Sequence, residues 1–112
     1  MEKGKESEGK LEELQLYEQN LQNLVLQKQI LQADLNEINS ALKEVAKSKD
    51  ECFKIVGGIM IKIPKDEIIK DLEEKKKLQE LRIKSFEKQE EMLKKHSQAL
   101  REELMKKLKN NI

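Results

Sequence analysis

"CFKIVGGIMIKIP", residues 52–64, is the stretch that decides how this chain folds. It is the longest strongly apolar run, it alternates, Gly57-Gly58 divides it, and Pro64 closes it. Val, Ile, Phe and Met at this density favour strand. The Gly-Gly pair fits a two-residue hairpin turn, which needs positive φ at both central residues. The spacing predicts strands over 52–56 and 59–63. Their residues pair so that Val56 faces Ile59, Ile55 faces Met60 and Lys54 faces Ile61. One face then carries Cys52, Lys54, Val56, Ile59, Ile61 and Ile63; the other carries Phe53, Ile55, Met60 and Lys62. Both are largely apolar. A lone two-stranded hairpin is marginal in water, and its open edges invite other strands. The hairpin residues Phe53, Ile55, Val56, Gly57, Gly58, Ile59, Met60, Ile61 and Ile63 therefore read as an oligomerisation element that pairs edge to edge with hairpins of other subunits. A plain connector packed on its own helices is the simpler alternative.

Outward from the hairpin the pattern changes period. Upstream, Leu14, Tyr17, Leu21, Leu24, Lys28, Leu31, Leu35, Ile38, Leu42 and Val45 recur at alternating spacings of three and four, and nine of these ten positions are apolar. That is the coiled-coil signature, sustained over more than four heptads. A helix over 10–49 is about 60 Å long by helix rise, too long to bury its stripe against itself. Downstream, Pro64, Asp66 and Glu67 mark a helix start. The second helix, over 65–109, has a weaker seam of Leu72, Lys76, Gln79, Ile83, Phe86, Glu90, Leu93, Ser97, Leu100 and Leu104. The expected fold is mainly α: one domain over 1–112, a long antiparallel two-helix coiled coil joined by the β-hairpin at 52–63, with the hairpins of several subunits assembling into a β-barrel. Residues 1–9, with two glycines, are expected to be a flexible N-terminus.

Bulk properties narrow the function classes. Charged residues make up 40 % of the 112 and aromatic residues 3 %, the profile of a long helix or coiled coil rather than a globular core. The net charge of +1 gives no reason to expect nucleic acid. One Cys cannot form an internal disulfide and suits a reducing compartment. No apolar run approaches a membrane span or a signal segment, so a cytoplasmic protein is expected, with no membrane partner. No phosphate loop, triad or paired-carboxylate site is present; an enzyme is not expected, nor a cofactor.

With these elements in hand, the chain resembles the β class of prefoldin subunits. "LQKQILQADLNEINSALKEV" at 26–45 and "LQELRIKSFEKQEEMLKK" at 78–95 are similar to that class's helices, and "CFKIVGGIMIKIPKDEIIKDLEEK" at 52–75 is similar to its hairpin and the entry to the second helix. The likeness covers about residues 11–108. It implies an α2β4 hetero-hexamer with α-class prefoldin subunits, whose hairpins build a double β-barrel platform bearing six coiled coils. It implies an ATP-independent chaperone that holds unfolded polypeptides between the coiled-coil tips and passes them to a cytosolic chaperonin.

Single residues sharpen the expectations. Lys28 interrupts an apolar seam. Either its stem covers the groove while the ammonium reaches water, or it fixes register with an acid across the seam; Glu87 lies opposite by mirroring about the hairpin, with Glu90 and Glu91 within a turn. His96 lacks partners at ligand spacing and reads as a solvated helix residue. Cys52 reads as a small buried residue of the sheet, and Lys75-Lys76-Lys77 as a solvated face. The coiled-coil seam rests on Leu21, Leu24, Leu31, Leu35, Ile38, Leu42, Leu72, Ile83, Phe86 and Leu93. The expected client-binding tips are Leu11, Leu14, Leu16, Tyr17, Leu100, Leu104, Met105 and Leu108, joined by Ile112; the plain alternative is that these are the last coiled-coil layers. A structural coiled-coil adaptor without client binding is the competing function, and a coiled-coil arm on RNA is disfavoured by charge.

Overall fold

A computed structural model describes residues 2–49 and 51–110. Helix α1 (Glu2–Lys47) is followed by strands β1 (Cys52–Val56) and β2 (Ile59–Ile63) and by helix α2 (Lys65–Asn110). The chain divides into two compact units. A terminal unit joins Met1–Gln29 to Ser85–Ile112, and a hairpin unit spans Ile30–Lys84. Each helix contributes to both.

In the hairpin unit, β1 and β2 pair antiparallel, with Val56 opposite Ile59, Ile55 opposite Met60 and Cys52 opposite Ile63. Gly57 and Gly58 have φ of +56° and +78°, the left-handed backbone of a tight hairpin turn that side chains with a Cβ disfavour. The helices meet the hairpin through well-satisfied ends. Ser48 N–H donates to the carbonyls of Glu44 and Val45, closing α1. The Pro64 carbonyl accepts from Glu67 and Ile68 N–H, opening α2; proline suits such a site because its missing donor is not needed there. Beyond the hairpin, Leu35 and Ile83 are buried, while Leu31, Ile38, Leu42, Leu72 and Lys76 are half-buried. Gln79 Nε2 donates across to Asp34 Oδ2 at 3.4 Å. Lys75 and Lys77 are exposed.

In the terminal unit the α1 and α2 stretches also run antiparallel. Ion pairs join Glu6 to Lys107, Lys10 to Glu103, Glu18 to Arg101 and Lys28 to Glu90, so α2 numbers fall as α1 numbers rise. Leu14, Leu100 and Ser97 are buried; Tyr17, Leu21, Leu24, Phe86, Leu93 and Leu104 are half-buried. The Ser97 hydroxyl donates back to the Lys94 carbonyl at 3.1 Å, which satisfies a polar group that burial would otherwise penalise. No described side chain anywhere is completely sealed from solvent. The core is a thin stripe, as expected for two helices that bury one face each.

The helix boundaries differ from the sequence expectation at the N-terminus. Residues 2–9 belong to α1 rather than to a flexible lead; Met1 lies outside the described residues. Two glycines cost helix stability, roughly 1 kcal/mol each relative to alanine. Cross-helix pairing of Glu6 and Lys10 offsets part of that cost. The other ends move by one or two residues: α1 closes at Lys47 and α2 continues to Asn110.

Candidate interaction surfaces

The hairpin presents apolar side chains that the chain itself leaves largely open to solvent. Phe53, Ile55, Val56, Ile59, Met60 and Ile61 are all exposed, Ile55 to 70 %. Phe53, Ile55 and Met60 lie on one face, and Val56, Ile59 and Ile61 on the other. Only the base is partly covered: Cys52 and Ile63 are half-buried. Ionic contacts flank the sheet, with Lys54 Nζ 3.7 Å from Asp71 Oδ2 and Lys62 paired to Glu51. An apolar patch of this kind on a small chain marks an interaction site, and unpaired strand edges offer backbone donors and acceptors to a further strand.

A second apolar surface lies in the terminal unit. Leu11, Leu14, Leu104, Met105 and Leu108 line a groove of about 300 Å³, rimmed by Ser7, Glu8, Arg101 and Lys107. Leu11, Met105 and Leu108 are exposed, while Leu14 and Leu104 form the better-covered floor. The groove therefore brings together five of the apolar residues singled out near the two chain ends. Leu100 is buried and does not line the groove, and neither do Tyr17 and Leu16. Leu16 is exposed. Tyr17 stacks on His96 with ring centroids 6.0 Å apart and an interplanar angle of 14°, and its hydroxyl donates to Glu13 at 3.3 Å. His96 is exposed yet has this ring partner. Ile112 lies outside the described residues. The basic rim residues Arg101 and Lys107 went unnoticed in the sequence because they sit on no apolar stripe. Among the described residues no group of three or more His, Cys, Asp or Glu side chains converges as a metal site.

Comparison with known proteins gives these surfaces a context. A family model described as prefoldin subunit matches residues 8–111. The prefoldin subunit beta of Archaeoglobus fulgidus is 41 % identical over 83 residues, covering 72 % of this chain and 72 % of its own length. That of Pyrobaculum calidifontis is 37 % identical over 90 residues, covering 79 % and 72 %. The chain belongs to the prefoldin β-subunit family. The crystal structure of the prefoldin beta subunit from Thermococcus strain KS-1 superposes with a TM-score of 0.86 at 31 % identity, covering 90 % of both chains. Two long helices around a short antiparallel hairpin are thus the prefoldin β architecture.

Membership in prefoldin supports a chaperone role and assembly with other prefoldin subunits. No described helix is long and apolar enough to cross a membrane.

Proposed function

We propose that this chain is one arm of an ATP-independent prefoldin chaperone, capturing unfolded or nascent polypeptides in the apolar groove of its terminal unit and passing them to a cytosolic chaperonin. The observation that carries this reading is the groove itself: Leu11, Leu14, Leu104, Met105 and Leu108 collected from both helices, with Leu11, Met105 and Leu108 open to solvent. An open, Met-containing surface suits partners of varied shape, because methionine is flexible and polarisable. Each such contact is weak. Several arms on one platform raise the effective concentration of the next contact, so a client held by many arms is held firmly.

The hairpin supports the platform part of this reading. Its exposed edges and two apolar faces suit pairing with hairpins of other prefoldin subunits into a shared β-barrel, in an α2β4 assembly with α-class subunits. Holding and release need no covalent step, so no residue is assigned a catalytic role. The test is to change Leu104, Met105 and Leu108 together to Ser and to measure suppression of aggregation of a chemically denatured protein. An oligomer of unchanged mass that no longer protects the client is the expected result. Full protection by this variant would move the client site elsewhere, whereas an unaltered assembly that gives no protection would favour the plain coiled-coil adaptor.

A further inference from the structure

We infer that the Lys28–Glu90 pair selects which helix α1 accepts as its partner: it admits α2 of the same fold and rejects a second α1. The ammonium of Lys28 lies 3.1 Å from Glu90 Oε2, and Glu90 is held from its other oxygen by Lys94 at 3.2 Å. Both members sit on the seam, with side-chain exposures of 33 % and 13 %. A seam position is where a polar group dictates pairing most strongly, because a wrong partner leaves it desolvated without a counter-charge.

The sequence around Lys28 shows what is being avoided. Between Glu18 and Asp34 it is the only charged residue, among Leu21, Leu24, Val25, Leu26, Ile30 and Leu31. Leu26 and Ile30 are exposed even with α2 in place, so the apolar surface here is wider than one seam. With a leucine at 28, the stretch would be an uninterrupted coiled-coil sequence able to pair with its own copy. In a parallel, in-register pair of two α1 helices, Lys28 faces Lys28, and no carboxylate lies within nearly two turns along either chain. Paired with α2, it meets Glu90 instead. The need is greatest during synthesis, when α1 is complete before α2 exists. A single lysine within an apolar run also acts as a guard against aggregation.

The experiment uses the full chain with Cys52→Ser and a reporter cysteine, Leu24→Cys, on the α1 stripe. Two α1 helices in parallel register bring the two reporters together, and mild oxidation then gives a covalent dimer. Paired with α2, the reporter has no thiol opposite it. Adding Lys28→Leu and Glu90→Leu should raise the disulfide-linked dimer several-fold, while thermal stability by circular dichroism is unchanged or higher. The reversed pair, Lys28→Glu with Glu90→Lys, should keep dimer at the level of the reporter alone. A Leu/Leu variant with no more dimer than the reporter background overturns the inference, and so does equal dimer in the reversed pair. Neither readout depends on client binding, so the result is independent of the groove's role.

Discussion

Lys65, the first residue of α2, donates from its Nζ to the Ser48 carbonyl at 2.9 Å and to the Ala46 carbonyl at 3.3 Å. The end of α1 is thus capped by a cation from the start of the next helix. The last carbonyls of a helix lack intrahelical partners, and a positive charge there also opposes the negative end of the helix dipole. Lys65→Met keeps the aliphatic stem and removes both donors. It should destabilise the chain by about 1–2 kcal/mol, read as a lower urea midpoint. Hydrogen exchange at the last turn of α1 should accelerate before any change in the strands, because the lost bonds are local.

Acid should loosen the terminal unit. Lys28, then Lys94, holds the Glu90 carboxyl below its ordinary value, and Lys10 does the same for Glu103. A carboxyl depressed in the folded chain contributes stability that is fully present above its unfolded value, near 4.5, and is lost as pH falls through the folded value. Melting temperature should therefore hold from pH 7 to about 5 and fall below that. Glu90→Gln should lower stability at neutral pH and flatten the acid limb. An acid limb of unchanged steepness in this variant would assign the loss to other carboxyls.

Gly9 lies within α1, and a Cβ built there meets nothing within 4 Å. No close approach demands the glycine. Gly9→Ala should therefore stabilise the helix by roughly 0.5–1 kcal/mol, measured as a rise in the chemical denaturation midpoint.

The hairpin should control assembly. Gly58→Val forces a β-branched residue into a φ of +78°, a strained backbone costing about 1–3 kcal/mol. Ile61→Pro removes a strand donor directly. Either change should release subunits that remain helical by far-UV circular dichroism. Native mass spectrometry that still shows the full oligomer for Ile61→Pro would detach the hairpin from assembly.

The parts of the fold that were legible from sequence were those with a strong period. Alternation around Gly57-Gly58 gave two strands in one register, and spacings of three and four gave two long helices. What remained hidden depended on pairing across helices, where small shifts matter. Mirroring about the hairpin put Glu87 opposite Lys28 with Glu90 and Glu91 within a turn, and only the structure picks Glu90 among them as the partner of the ammonium. Lys65 as a cap for α1 left no trace in the sequence, because the contact joins 65 to 46 and 48 across the hairpin. The start of α1 was hidden by its glycines, whose low helix propensity is offset in part by cross-helix charges that no local pattern reveals. The terminal groove was legible as a cluster of apolar positions, but its basic rim was not.

If clients lie in the terminal groove, two leucines of nearly equal exposure should differ in how they meet them. Leu108 lines the groove at 64 % exposure, and Leu81 lies in the hairpin unit outside it at 65 %. Apolar exposure alone would make them equivalent. A photo-crosslinking residue placed at each position in the assembled complex, irradiated with a chemically denatured client, separates the two ideas. A client adduct is expected in high yield at 108 and in low yield at 81. Equal yields, or a stronger adduct at 81, would contradict it.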